Sequence, residues 1–478
     1  MPLLHTLAQP IFPDPLVSNN SASLFDPETG QCININGCRT IASLLWSCLS
    51  VIFICTWTAI HPNIPRVETN SIDTAYQGLR IMIVALIAPE VIIMWAMRQW
   101  LSARNIVKKF KKYGWGKPHA FLVLMGGFAL YDGDQFCGYL WESREEVDER
   151  YWDLVMAHHA RVQEVFRWHE GDSMDFENQQ NHEGRVSDIP TLPRFQVDLV
   201  SQEKELREKM CLLEFFVANG YITITEDEIR DNLSQGDFIS KSVAVIQTSW
   251  FLAQVVTRAV EGLAITELEI ITVGFALLNF GTYFLWWSKP LRVRHPIRVN
   301  LQQRRCQIER PPGHTFLSVL WMICKLISLP VVLILRFGYT ILRAITYDFY
   351  LSLQGVGRFS SRLKKEQGRV WLTAFLITGA FGALHCVAWN FQFPTPIEQF
   401  YWRLSAVIAT IAPFFFVTLG LLLYIAGDFV GVLGHILTVL AYIAARIALI
   451  ILAVGALRDL PPNANQVVPW TRFIPHIG

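Results

Sequence analysis

The sequence predicts an all-α protein, a polytopic transmembrane helical bundle of seven or eight spans with a helical cytosolic insert. Three observations carry this. The first is the stretch from Glu261 to Arg298, where two acids, Glu267 and Glu269, precede an apolar run from Ile270 to Trp287. Such a run suits the hydrocarbon layer, which a helix of about 20 apolar residues can cross. The Trp286–Trp287 pair suits the headgroup level, and Lys289, Arg292, Arg294 and Arg298 suit a cytoplasmic flank. The second is composition: 52% of residues are hydrophobic and 17% charged, whereas a soluble domain carries about a quarter. The third is the wealth of rings, 16 Trp and 31 Phe in 478 residues, as expected when rings anchor helices at an interface. A net charge of +1 argues against nucleic acid as a partner. The partner it suits is the lipid bilayer, and the expected location is a multi-pass protein of the endoplasmic reticulum or another endomembrane.

Residues 1–40 read as an irregular leader. They hold Pro2, Pro10, Pro13, Pro15 and Pro27 and show no basic start before a continuous apolar core, so no cleavable signal is expected. Asn19-Asn20-Ser21 is a formal glycosylation sequon. Cys32 and Cys38 are spaced for a small loop, but free thiols are expected if that end is cytosolic. Residues 41–98 hold the first two spans, 41–60 and 81–97. Pro62 and Pro65 end the first, and the second carries Pro89 and Glu90 near its middle. Arg98, Arg104, Lys108, Lys109, Lys111 and Lys112 follow, which places them in the cytoplasm. The amino terminus, two crossings earlier, is then expected there too.

Residues 99–241 form the cytosolic insert. Its apolar segment 118–130 is too short to span, so it is interfacial, re-entrant or a buried piece of the insert. Two amphipathic helices are expected, over 143–170 and 201–220, with a flexible loop at 171–194 between them. Residues 242–457 form the main bundle. The orientation rule favours a helical hairpin, 242–257 with 268–287, turning at Gly262. The run 315–337 is open between a span and a re-entrant or interfacial piece, because basic residues lie on both sides. Spans at 371–389 and 405–426, a tight turn at Gly427-Asp428 and a last helix at 430–457, interrupted by Arg446, complete the count. Residues 458–478 are the tail.

An ionisable group at membrane depth is costly and is therefore a functional candidate. Glu90 is the deepest, and Pro89 beside it loosens the helix. It reads either as a buried acid that donates a proton or hydrogen bond, or as a structural partner of Arg80 or of another helix. His385, near Cys386, Trp389 and Asn390, reads as an interfacial histidine or as a polar group on a ligand pocket. Trp389 and Glu267 are candidate pocket residues, although Glu267 and Glu269 have a simpler role in complementing a helix dipole. Arg446 should snorkel or pair across helices. No metal or cofactor is expected. His158 and His169 lie about 16 Å apart on one helix face, too far to share an ion, and Asp132 with Asp134 is a weak cation signal. Phosphate-loop, HExxH, paired CxxC and nucleophile-elbow patterns are missing from the chain.

Five stretches carry a resemblance: CTWTAIHPNIP (55–65), GWGKPHAFLVLMGGFAL (114–130), ITELEIITVGFALLNFGTYFLWWSKPL (265–291), LHCVAWNFQFPTPIEQ (384–399) and ARIALIILAVGALRDLPP (445–462). On them the chain resembles fungal multi-pass membrane proteins of largely unassigned function that occur beside natural-product genes. One activity associated with such proteins is the norbornene-forming Diels–Alder closure of a sordarin-type diterpene pathway. The resemblance implies a cyclase or isomerase of a terpenoid pathway, a lipophilic small-molecule substrate and possible contact with other pathway enzymes. It supplies no catalytic residues. A transporter for a lipophilic metabolite and a non-catalytic membrane scaffold are the alternatives.

Overall fold

The computed structural model describes residues 38–67, 71–142, 151–159, 209–233, 237–291, 293–300, 368–426 and 429–468. The sequence-predicted span 315–337, the loop 171–194 and the turn at 427–428 lie outside them.

The chain is mostly helical. Helix α1 (Ile41–Phe53) opens at Thr40, whose hydroxyl accepts from the Ser43 amide, and runs on as a π-helical turn over Ile54–Thr58. Helix α2 (Ser71–Ile87) meets α3 (Pro89–Phe110) at Ala88. Proline restricts the residue before it, and Ala88 leaves helical geometry at φ −137° and ψ 69°. Pro89 then starts the new helix, where its missing N–H costs nothing. The two axes differ by 111°. Ile81 and Val84 of α2 and Ile92, Trp95 and Ile106 of α3 join one apolar cluster, whereas Leu86 beside the bend joins the other. What reads as a straight second span is a bent helix pair, a hairpin-like turn with its tip at Ala88–Glu90.

The insert is not wholly helical. Helix α4 (Lys117–Leu124) leads into β1 (Phe128–Asp132) and β2 (Gln135–Tyr139), an antiparallel hairpin. Asp132 ends β1, and Gly133 and Asp134 form the turn, where Gly133 takes φ 64°. A left-handed residue in a two-residue hairpin turn explains the glycine. Strand β3 (Ile297–Asn300), far along the chain, pairs with β1 in parallel, giving the order β2-β1-β3. The segment 118–130 is buried within this unit. Helices α5 (Leu212–Ala218) and α6 (Glu226–Leu233) pack beside it.

Helices α7 (Asp237–Val260) and α8 (Glu267–Trp286) form the expected hairpin, with Gly262 at φ 68° in the turn. Helix α9 (Gly368–Leu384) ends in a 3-10 stretch, His385–Asn390. Helices α10 (Pro396–Ala426) and α11 (Phe429–Gly455) complete the bundle. A Cβ on Gly382 would lie 2.6 Å from the Thr410 Cα, so α9 and α10 touch backbone to backbone there.

Four helices are long and apolar enough to cross a membrane: 41–58, 239–260, 267–286 and 436–458. The α2–α3 pair makes five if it is one span, so the count is four or five among the described residues, and not seven or eight. The shortfall has physical causes. The second candidate is broken at Ala88, and the apolar helix near 371–389 is only the shorter stretch Phe375–Asn390. The outward faces are apolar: Trp46, Phe284, Ile246, Ile451 and Phe415 are all more than half exposed. A soluble monomer rarely displays so much contiguous apolar surface.

Candidate functional site

Three regions bury charge in this bundle. The first closes one end. Thr266 and Glu269 form a capping box at the start of α8: the Glu269 carboxylate accepts from the Thr266 amide at 2.9 Å, and the Thr266 hydroxyl accepts from the Glu269 amide at 3.3 Å. Arg39 grips the same carboxylate through both terminal nitrogens, at 2.5 and 3.2 Å. Arg258, 1% exposed, donates to the carbonyls of Ala264, Asn463, Ala464 and Gln466. Its guanidinium thus ties the α7–α8 turn to the tail. The backbone pairing of Cys38 with Gln466 draws the amino-terminal segment into the same closure. Cys38 is disulfide-bonded, contrary to the free thiol expected there, while Cys48, Cys55, Cys137, Cys211 and Cys386 are free.

The second region lies at the opposite end. The Lys289 ammonium donates to Gln99 Oε1 at 2.8 Å, to Asn63 Oδ1 at 3.2 Å and to the His61 carbonyl, and sits over the rings of Trp286 and Trp95 at 4.4 and 4.7 Å. Three protons meet three acceptors, and two π faces add attraction. Burial, then the nearby Lys241 ammonium, pushes the Lys289 pKa down from its ordinary value.

The third region lies between these ends, at the tip of the α2–α3 hairpin. Breaking a helix frees carbonyls that need donors. Arg446 of α11 supplies one: its Nε donates to the Ile87 carbonyl at 3.0 Å. Its Nη1 lies 2.9 Å from His385 Nε2. A guanidinium can only donate, so Nε2 accepts and the His385 proton sits on Nδ1. From there it donates to the Phe381 carbonyl at 2.9 Å. His385 is therefore a neutral imidazole. Trp402, wholly buried, donates its indole N–H to the His385 carbonyl at 3.1 Å and holds the 3-10 turn in place. Tyr442, one turn before Arg446, donates its hydroxyl to Glu90 Oε1. Phe381 covers the guanidinium, 4.5 Å from its carbon to the ring centroid.

The structure thus brings together Glu90, His385 and Arg446, which lie far apart in sequence. The partner of Glu90 is Tyr442, on another helix. Arg446 pairs across helices and does not snorkel. Glu267 and Trp389 make no hydrogen bond to this group. Glu267 is buried in the first turn of α8, beside Glu269, where it complements the helix dipole. Trp389 is 39% exposed; its carbonyl accepts from Arg403 Nε at 2.9 Å, and its ring lies under that guanidinium. Neither lines the polar layer. Tyr442, Trp402 and Asn279 were not anticipated. The spacing of Tyr442 to Arg446, one helical turn inside an apolar run, was a usable sign of a polar face.

Among the described residues, no group of His, Cys, Asp and Glu is placed to hold a metal ion. A cleft of about 330 Å³ opens on the insert between Tyr221–Ile224 and β3, remote from these residues.

The chain matches the family of unknown function DUF8562 over residues 13–128 and 204–331, just over half of its length, and belongs to that family. The match covers the hairpin tip and α8 but not His385, Tyr442 or Arg446. No curated protein and no solved structure matches the chain.

Proposed function

We propose that this protein is a membrane-embedded biosynthetic enzyme that converts a lipophilic small molecule, without a metal, at the layer where Glu90 and His385 meet through Arg446. The reaction is a cyclisation or isomerisation of a terpenoid, of the kind found in fungal natural-product pathways on endomembranes. An intramolecular [4+2] closure suits such a layer. It forms two carbon–carbon σ bonds, spends two π bonds and needs no oxidant, reductant or leaving group. What the protein would supply is a folded, near-attack conformer and a donor to a carbonyl on the dienophile, where electron density grows. The observation that supports this reading is the convergence itself. A buried carboxyl, guanidinium and neutral imidazole and a half-buried phenol from three parts of the chain come together, and polar groups at such depth are costly unless they serve a purpose.

The test is turnover by membranes containing the full chain, fed a candidate polyene, with metabolite profiles of a deletion strain beside it. Accumulation of an uncyclised precursor on deletion supports the reading. Turnover by Glu90→Gln equal to the parent would remove Glu90 from it.

One observation favours transport as a second reading. A broken helix whose tip reaches the middle of the bundle from one end is also the way many carriers build a binding site. In that case deletion changes the export of a metabolite and leaves its structure unaltered.

A further inference from the structure

The buried cations of this bundle provide an internal standard. Arg258 uses all three of its nitrogens on carbonyl oxygens. Lys289 has an acceptor for each proton, and Lys241, 4% exposed, donates to the carbonyls of Trp287 and Lys289. Arg446 differs. It is 1% exposed, yet its Nη2 has no hydrogen-bond partner. The same holds for Oε2 of Glu90, 6% exposed, and for both amide atoms of Asn279, 4% exposed. Glu90 and Arg446 feel one another electrostatically but form no ion pair. Asn279 lies on the same face of α8 as Trp286, two turns earlier. Trp286 stands edge-on to Trp95 and donates to Gln99 Oε1, both on α3. A Cβ on Gly281, two residues after Asn279, would lie 2.5 Å from Ile93 Cδ1. Asn279 is therefore near the first turn of α3, which carries Glu90.

Leaving such groups unmade inside a protein is expensive, and more so when they are charged. Folding has satisfied Arg258, Lys289 and Lys241; among the cations above, the other unpartnered nitrogen is Nε of Arg39, on a side chain 18% exposed whose two terminal nitrogens both hold Glu269. We infer that Arg446 Nη2, Glu90 Oε2 and the Asn279 amide form the polar end of a ligand site, and that its ligand is an uncharged lipophilic molecule bearing a carbonyl. This rests on the reading of the layer given under Proposed function and specifies its substrate class.

The charge balance selects the class. Arg446 is positive, Glu90 offsets it when the carboxyl that accepts from Tyr442 is ionised, and His385 is neutral by its hydrogen bonds. A carboxylate or phosphate would add an unmatched buried charge. A carbonyl oxygen accepts from Arg446 Nη2 and from the Asn279 N–H without adding one, while an ionised Glu90 Oε2, itself an acceptor, is satisfied by a hydroxyl on the same ligand. A pure hydrocarbon satisfies none of the three groups. Arg446 touches the ligand in this arrangement. His385 acts as a positioning residue, because it fixes the guanidinium through Nη1.

The experiment uses the full chain in native membranes and three photoreactive diazirine probes sharing one C20 polyene chain: an aldehyde, the parent hydrocarbon and the carboxylic acid. The expected result is labelling of peptides spanning 86–92 and 442–449 by the aldehyde. It should exceed that by either other probe about tenfold, the size of one hydrogen bond to a charged group. Arg446→Gln should abolish the preference. Glu90→Gln, close to the native shape, should reduce it in a chain that still unfolds at the parent temperature in detergent. Equal labelling by aldehyde and hydrocarbon, or a preference that survives in Arg446→Gln, overturns the inference. So does a preference for the acid. The two readings fail separately. Selective labelling without conversion of any polyene sinks the enzyme and leaves the site standing. Conversion without selectivity for the carbonyl does the reverse.

Discussion

Two arginines are equally hidden in this molecule, and they are treated in opposite ways. Arg258 sits where α7 turns into α8 and spends every nitrogen on backbone carbonyls, two stretches of chain being joined by one side chain. Arg446 sits at the hairpin tip with two nitrogens occupied and one idle. A cation bonded on every side serves stability. A cation left with a free donor at the same depth holds a capacity that folding did not use. The closed end and the polar layer are therefore different kinds of region, although composition alone makes them look alike.

The largest effect expected from this contrast is one of sidedness, because its readout is all or none. Arg98, Arg104, Lys108, Lys109, Lys111, Lys112 and Lys241 gather at the end where α3 leaves the bundle and α7 begins. The Arg258 end carries the disulfide-bonded Cys38. Basic flanks stay cytoplasmic, and disulfides persist on the oxidising side. If the α2–α3 pair turns back without crossing, one crossing separates Cys38 from the basic end, and the amino-terminal side is expected to face away from the cytosol. That outcome would reverse the orientation expected from two straight crossings. In sealed microsomes an epitope at the amino terminus should survive added protease, while one inserted at 171–194 should be digested. Digestion of both would turn the hairpin back into a full span.

Next in size is the closure itself. Arg258→Gln deprives four carbonyls of their donor in a buried place, and the cost is expected at about 3 kcal/mol or more. Thermal unfolding of the detergent-solubilised chain should fall by many degrees, and limited proteolysis should release the tail beyond Arg458. A chain that kept its melting temperature would erase the distinction between the two arginines.

Arg446→Gln should cost less stability, about 2 kcal/mol, since it breaks two hydrogen bonds instead of five. Glu90→Gln should cost under about 1 kcal/mol, because the amide oxygen can still accept from Tyr442. Both should nevertheless lose most turnover. The order of the variants by stability is thus expected to differ from their order by activity. If the two orders coincide, the polar layer is merely structural.

Much of this was legible in the residues, for reasons that can be named. The α7–α8 hairpin followed from apolar length, charge flanks and Gly262. Glu90, His385 and Arg446 each stood out as polar groups in apolar runs, which is a local property. That they meet is not local. It depends on how α9 and α11 pack around the hairpin, and no spacing rule reaches from residue 90 to residue 446. The hairpin was half legible: Pro89 marked a break, but a broken span and a re-entrant turn share one hydropathy profile. The sheet was hidden because β3 pairs with β1 across a long separation, and each strand alone reads as a short apolar run. Asn279 escaped notice because an amide carries no charge to flag it.

The smallest effect concerns the second saturated cation, Lys289. Its folded-state pKa lies below the ordinary 10.5, through burial first and Lys241 second. Below that depressed value both folded and unfolded chains hold the proton, and pH has no leverage through this group. Between it and 10.5 the unfolded chain keeps a proton that the folded chain sheds. Stability should therefore rise with pH through that window and level off above it. The rings of Trp95 and Trp286 and the three oxygen acceptors favour the ammonium and narrow the window, so the slope is expected to be shallow. Other groups titrate nearby, and the readout is the difference between the parent and Lys289→Met in unfolding midpoint against pH. The variant should lose the rise and gain nothing at neutral pH, where it leaves Gln99, Asn63 and the His61 carbonyl without their donor. A parent and variant with parallel profiles would mean that the cage cancels the burial completely. Lys289 would then join Arg258 as a cation whose proton the fold never releases.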